Sequence, residues 1–219
     1  NEAFASEKGA YNTYSGSYGR TRLRHEFEKG ALLQVVAYVQ SELYENIRES
    51  FRSNTLTRYD VESERDESGI LSTLEFAIGS SHKLTAGADL RHGRVDGADK
   101  YLTSTDLVIN RGRMNQLGLY VQDEVSIGTS PWSVLGGIRF DYARFYDGEF
   151  QVNDPTQETR FLQNFSGALE TGKFQAVSPR ISTQYHLKGK LRTYASISKD
   201  FRPPVLDDMS RTRRISGGM

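Results

Sequence analysis

Trp132 to Tyr146 reads WSVLGGIRFDYARFY, and its alternation decides the fold. Taken two residues at a time, Trp132, Val134, Gly136, Ile138, Phe140 and Tyr142 share one side of an extended chain. Ser133, Gly137, Arg139 and Asp141 share the other, because successive side chains of a strand point to opposite faces. One side is apolar with an aromatic residue at each end; the other carries charge. The step from Trp132 to Tyr142 covers about 33 Å along a strand, and a tilt of about 40° reduces this to about 25 Å of height. That is the height of the apolar band of a transmembrane barrel. Strands of soluble sandwiches usually run only about five or six residues.

The same rhythm runs from about Ile70 to Phe201 and continues less distinctly upstream. The strands read from it are Tyr18 to Glu28, Ala31 to Tyr44, Gly69 to Gly79, Lys83 to Val95, Asn115 to Gly128, Trp132 to Tyr146, Phe174 to Leu187 and Lys190 to Phe201. In Lys83 to Val95, Leu84, Ala86, Ala88 and Leu90 oppose Lys83, Thr85, Asp89 and Arg91. Short connections (Glu28 to Gly30, Gly79 to Lys83, Gly128 to Trp132, His186 to Leu191) take turns with long ones (Glu45 to Glu67, Val95 to Met114, Asp147 to Phe174). Outer-membrane barrels have this asymmetry, with tight periplasmic turns and extended outer loops. The expected fold is therefore all-β, an antiparallel up-and-down transmembrane β-barrel segment of about eight long strands. Counting from the short turns puts three regions on the extracellular side: the charged stretch Glu45 to Glu67, with a hairpin around Ser53 to Val61, then Asp147 to Lys173, and everything after Phe201. Two residues disturb the pattern. Asp123 shares the apolar face with Leu119, Val121, Val125 and Ile127, which calls for a bulge or a position near an interface. Pro179 lacks an amide hydrogen, which predicts a missing ladder bond and a bulge.

Composition agrees with a wall that is wet on one side. The 219 residues are 37% hydrophobic, with a mean hydropathy of −0.59, low for a chain that buries a large core. Twenty glycines, twelve tyrosines and eleven phenylalanines against five prolines favour strands and turns. No stretch approaches the roughly 18 apolar residues of a spanning helix. The absence of cysteine excludes disulfide scaffolds and thiolate metal sites. Charge is balanced at 28 basic and 28 acidic residues, so nothing draws the chain to nucleic acid.

Four motifs follow in order: NQLGLYVQDEVSIG at Asn115 to Gly128, WSVLGGIRFDY at Trp132 to Tyr142, SPR at Ser178 to Arg180, and TYASISKDFRPP at Thr193 to Pro204. Together they resemble the barrel of TonB-dependent outer-membrane receptors, over roughly Gly69 to Pro204. The resemblance implies residence in the bacterial outer membrane, contact with its lipid, and uptake of a large, scarce ligand such as a ferric siderophore, haem or cobalamin. It also implies drive from the TonB complex acting through a plug. Such barrels close with roughly 22 strands, so residues 1–219 are expected to be part of a barrel without its plug and incomplete at both ends. Its remaining strands and plug would be further parts of the same protein. Asn1 is not an initiator methionine, and Gly217-Gly218-Met219 closes no strand, which fits an internal segment. A passive porin or barrel adhesin, and a soluble all-β binding module, are the competing readings.

Parity assigns Glu75, Asp89, Arg91, Glu124, Arg139, Asp141 and Arg180 to the lumen, where mixed charges can pair with one another, a plug or a ligand. Loops on a rigid scaffold carry specificity. Tyr101, Phe150, Phe161 and Phe165, with Arg111, Arg113 and Arg160, are thus the candidates to face a planar or anionic ligand. Phe201, Arg202, Pro203 and Pro204 match the family motif and end a strand at the outer rim, since prolines cannot extend a ladder. No enzyme is expected. Gly167 to Lys173 has phosphate-loop spacing, but Phe174 stands where Ser or Thr would hold magnesium, and no helical pattern follows. The four histidines do not cluster, the run Arg211, Arg213, Arg214 sits near Asp207 and Asp208, and no metal site or cofactor is called for.

Overall fold

The computed structural model describes residues 9–52, 54–159, 161, 163–187 and 191–210. Along them, nine strands form one antiparallel sheet: β1 (Tyr11–Glu26), β2 (Leu32–Arg52), β3 (Thr55–Ile78), β4 (His82–Tyr101), β5 (Leu107–Ser126), β6 (Trp132–Asn153), β7 (Phe165–Leu169), β8 (Gly172–Leu187) and β9 (Leu191–Ser198). Eight lie side by side in the order β1-β2-β3-β4-β5-β6-β8-β9, and β7 pairs with the far end of β6. A five-residue helix, α1 (Leu206–Ser210), follows. Nearest-neighbour pairing is what tight turns impose. Gly79 and Gly128, with φ of 62° and 53°, supply the left-handed backbone such turns need without steric cost. The centre of the connection from His186 to Leu191 lies outside the described residues.

The strands run further than the apolar alternation alone suggests. β3 has 24 residues and β6 has 22. The charged stretch Glu45 to Glu67 is mostly strand, folded at a turn where Asn54 has φ of 63°. The connection from Val95 to Met114 shrinks to residues 102–106. Beyond the hydrocarbon, outward positions hold Glu64, Asp66, Arg94, Asp96, Arg111 and Arg113. Water solvates these side chains while the backbone ladder continues, so a charged composition there does not mean a loop.

Neither anomalous residue bends the sheet. The ladder between β6 and β8 passes without a shift through Ile138 opposite Pro179. The amide of Lys199 donates to the Pro179 carbonyl at 3.0 Å. In an antiparallel strand a residue's N–H and C=O point to the same neighbour, so the missing donor faces β9, whose ladder ends one pair earlier at Arg180 opposite Ser198. The expected bulge at Pro179 is therefore absent. Asp123 also lies in continuous register, three residues before the end of β5, with its carboxylate 2.7 Å from His82 Nδ1. Of the two explanations for Asp123, the interfacial position holds. The irregularity falls elsewhere, between β5 and β6, where Asp147 and Gly148 oppose Gly112 and Asp147 takes φ of 51°. From there outward the even-numbered residues of β6 share the face of Asp89.

That face, called inner here, is covered near its extracellular end by the last described segment. The chain after Phe201 was expected outside the rim. Instead, β9 stops at Ser198, level with Arg180 and Gly137 and thus halfway along the apolar stretch of β6. From there the chain crosses the inner face. A Cβ at Gly93 would lie 3.2 Å from Leu206 Cδ2, one at Gly172 would lie 3.3 Å from Met209 Cε, and one at Gly112 would lie 3.5 Å from Ser210 Cβ. Small residues therefore make the seat, and Arg65 Nη2 holds Asp207 Oδ2 at 2.5 Å. Beneath α1, Val95, Met114 and Phe145 are at most 2% exposed. Pro203 and Pro204 prevent a continued strand, and burying Leu206 and Met209 gives the segment another place to go.

The outer strands β1 and β9 are exposed along their full lengths and each has one paired neighbour. Unpaired edges template association. Expressed by itself in detergent, this chain is expected to cross-link into dimers and larger species through β1 and β9. A monodisperse monomer in detergent-free buffer would contradict both the open edges and the lipid-facing outer surface.

Candidate functional site on the inner wall and extracellular rim

Register places all seven residues assigned to the lumen on the inner face. Asp89, Gly118 and Asp141 lie in line across β4, β5 and β6, with Arg139 and Arg91 two residues from that line. Glu75 and Glu124 flank Lys83 toward the turns, and Arg180 sits opposite Gly137. Three of the seven join in one network. Arg139 Nη2 donates to both Asp89 carboxylate oxygens at 2.9 and 2.7 Å, and Nε donates to Asp141 Oδ1 at 2.8 Å. To reach Asp89, the Arg139 side chain must pass over β5. It does so at Gly118, where a Cβ would come within 2.0 Å of Arg139 Nη2 and 2.6 Å of Asp89 Oδ1. The Tyr120 ring lies 5.9 Å from the guanidinium carbon. Glu75 pairs with Lys83 at 2.9 Å, whereas Arg91 reaches a different environment.

Between α1 with its preceding segment and the inner wall lies a cavity of about 500 Å³. Its charged lining mixes signs: Arg65, Arg91 and Arg202 against Glu42, Glu67 and Asp207. Arg202, of the motif Phe201 to Pro204, thus meets the inner wall rather than the outer rim. Glu42, Arg65 and Glu67 escaped the sequence reading. The signal was present, since extending period 2 past the apolar band puts all three on the inner face. Among the described residues, no group of acidic or histidine side chains is arranged to hold a metal ion.

The loop candidates do not converge. Arg111 and Arg113 lie on strand β5 with odd parity and point outward, away from the lumen. Arg111 meets Asp96 at 2.7 Å and Glu149 at 3.7 Å, which hold its pKa above the ordinary arginine value. Arg113 meets Asp147 at 3.2 Å. Tyr101 ends β4 buried and stacked on Tyr59, with ring centroids 5.0 Å apart. Phe150 packs against Phe161 and Phe165 at 6.0 and 5.9 Å. These aromatics hold their own loops together, as Phe150's burial indicates. Arg160 lies outside the described residues.

The rim is tied by a carboxylate that the sequence reading passed over. Asp106 is 1% exposed. It accepts from Ser104 Oγ at 2.6 Å, from the Thr156 amide at 2.9 Å and from the hydroxyls of Thr156 and Thr159. One acceptor pair thereby joins the loop after β4 to the loop after β6. Thr105 Oγ1 donates to the Asp154 carbonyl at 2.8 Å, and Leu102 N donates to Arg58 O at 2.8 Å, extending the tie to β3. Burial alone would raise the Asp106 pKa, but the donors outweigh it and hold the carboxyl down at about 2. The hint was the run Thr103-Ser104-Thr105-Asp106, short polar side chains that bond to nearby backbone.

A family model described as TonB dependent receptor-like, beta-barrel matches residues 2–218. No curated protein matches the sequence. Solved structures similar in fold include three iron-ligand receptors or transporters. The closed form of the ferric-catecholate import receptor Fiu from E. coli K12 is 11% identical with a TM-score of 0.69, the match covering 96% of this chain and 36% of that one. The unliganded ferric citrate transporter FecA is 18% identical with a TM-score of 0.63, covering 86% and 28%. The ferric yersiniabactin uptake receptor FyuA from Yersinia pestis is 12% identical with a TM-score of 0.62, covering 85% and 28%. The chain therefore spans about a third of the length of these structures or less.

Two outcomes test this geometry. Gly118→Val removes the passage for Arg139 and strands the Asp89 carboxylate, 9% exposed as a side chain. It should cost roughly 2–4 kcal/mol, read as earlier unfolding of the refolded barrel in a urea titration with a heat-modifiability gel. Unchanged unfolding would mean the network contributes nothing. The second concerns pH. A carboxyl whose folded pKa is depressed stabilises above its unfolded value near 4 and stops doing so as pH falls through its folded value, here about 2. Roughly 2 kcal/mol of loop stability should vanish in that window, seen as faster amide exchange at 102–106 and 154–159. Asp106→Asn should show the loosened loops already at neutral pH.

Proposed function

Because this chain belongs to the TonB-dependent receptor-like β-barrel family, we propose that it forms part of the wall of a receptor that imports a large ligand under TonB drive. The family is one of receptors and transporters, and its barrels, this chain included, reside in the bacterial outer membrane. In the proposed protein, further strands continue the sheet from β1 and β9, and a plug occupies the space on the inner face. The ligand we infer is a ferric chelate of the siderophore class, haem and cobalamin being the other members of that size range. Fiu, FecA and FyuA are all receptors or transporters of ferric ligands, which favours the first. No catalytic step is assigned.

The observation that carries this reading is the division of labour between the two faces. Val121, Ile138 and Ile181 stand exposed outward, as surfaces that meet hydrocarbon do. The inner face holds paired charges of both signs, Arg139 with Asp89 and Asp141, and Arg65 with Asp207. In these two clusters opposite charges are already paired with each other, so a passing ligand does not have to neutralise them.

In a strain stripped of its own iron receptors, the full-length protein is expected to restore growth on at least one ferric chelate as sole iron source. Growth should cease when TonB is deleted. Growth that persists without TonB would identify a passive pore, and growth on none of a panel of ferric chelates would remove the siderophore class.

A further inference from the structure

Strand β1 carries Arg20, Arg22 and Arg24 at alternate positions, so all three side chains leave the same face. Register identifies that face as the inner one. Arg20, Arg22 and Arg24 pair with Tyr38, Val36 and Gln34 of β2, which pair in turn with Gly69, Leu71 and Thr73 of β3. Leu71 is opposite Asp89, which places Arg22 on the line of the Arg139 network and at the height of the apolar outer stretch. From Arg20 to Arg24 is about 13 Å along the strand, with about 7 Å between neighbours. The row runs from this level toward the short turn that follows Glu26.

Nothing among the described residues neutralises these charges. The facing positions on β2 and β3 include no acid. The inner-face carboxylates nearest in height are engaged elsewhere: Glu67 accepts from the Tyr38 hydroxyl, Glu75 holds Lys83 at 2.9 Å, and Asp89 holds Arg139 at 2.7 Å. Glu26, the next inward residue of β1, stands at the turn and is not paired with Arg24. Tyr38 reaches across β3 at Gly69, where an added Cβ would come within 2.5 Å of its ring. The floor beside Arg22 and Arg24 is then Val36 and Gln34, and all three arginines are exposed. Like charges this close repel one another. Each is also a planar fork whose donors match carboxylate or phenolate oxygens. Equivalent sites in a row let an anion leave one for the next, because conduction requires several sites of which none binds too tightly.

We propose that the inner face of β1 is a relay for anions, and that the ferric chelates imported are those of net negative charge. This rests on the uptake role proposed above and narrows its ligand class. Catecholate and hydroxycarboxylate oxygens more than neutralise iron(III) and leave an anionic complex. Hydroxamates bring a single negative charge each and leave a neutral complex, which gains little from bare guanidiniums.

The test is an arginine footprint on the full-length receptor in detergent. Modification by phenylglyoxal is read residue by residue by mass spectrometry, with and without a ferric tris-catecholate or a ferric tris-hydroxamate. Arg20, Arg22 and Arg24 should be modified in the unliganded receptor and protected severalfold by the catecholate complex, while the hydroxamate complex leaves them reactive. Arg113, on the outer surface beside Asp147, should respond to neither. Arg22→Gln should raise severalfold the catecholate concentration that half-protects Arg20 and Arg24, with heat-modifiable migration confirming the fold; Lys100→Gln should leave it unchanged. Arginines that resist modification until the receptor unfolds would overturn the proposal, by identifying a fixed acidic partner in the plug or an adjoining strand. So would protection by both complexes alike or by neither, or a half-protecting concentration that Arg22→Gln does not move. The footprint needs no transport, so its outcome is read apart from that of the growth test, which reports on uptake itself.

Discussion

Hydrocarbon offers a peptide group nothing to bond with, so each amide and carbonyl inside the membrane must find its partner on a neighbouring strand. Every regular feature of this sheet follows from that requirement. The registers of β2 through β6 run without interruption across the apolar stretch, and the one shift, at Asp147 and Gly148, lies beyond it. Pro179 is tolerated because its missing donor faces the strand that ends beside it. Among the described residues, the same requirement leaves β1 and β9 as the edges of the sheet, each with a row of donors and acceptors that no described strand faces.

Once the backbone is committed to flat, paired strands, side chains can differ only by face and height. Inward, the spacing of strands lets a long side chain reach across a neighbour, provided the neighbour is small. Arg139 crossing Gly118 to Asp89 is such a case, and Tyr120 over Gly87 is another, where an added Cβ would meet the ring at 2.3 Å. Glycine at the inward positions 87 and 118 therefore marks where another side chain passes. The same logic accounts for α1, which rests where Gly93, Gly112 and Gly172 have no side chains to exclude it. Outward, height sorts the residues: aliphatic against lipid, then charges of both signs in water.

At the extracellular end the strands no longer need the membrane, and their order depends on specific bonds. Asp106 gathers donors from two loops, and Phe161 and Phe165 pack against the buried Phe150. Such a rim is cross-tied without being buried by a second layer. In the proposed uptake role, loops positioned before a ligand arrives lower the ordering cost of binding it.

Much of this was legible from residue order alone. Period-2 alternation in Trp132 to Tyr142 and Lys83 to Val95 implied two-sided strands of membrane height, and parity then put Asp89, Arg139 and Asp141 on a common face. Those conclusions depend only on the geometry of an extended chain, which any residue obeys. Where charge replaced aliphatics, as in Glu45 to Glu67, alternation lost its contrast and strand looked like loop. Where partners came from distant strands, residue order carried no signal at all. The crossing of Arg139 over Gly118, the Asp106 tie and the return of residues 201–210 onto the inner wall are contacts between segments far apart in the chain. They required the register of the whole sheet, because which side chains meet is set by how strands are staggered and by where neighbouring residues are small enough to leave room.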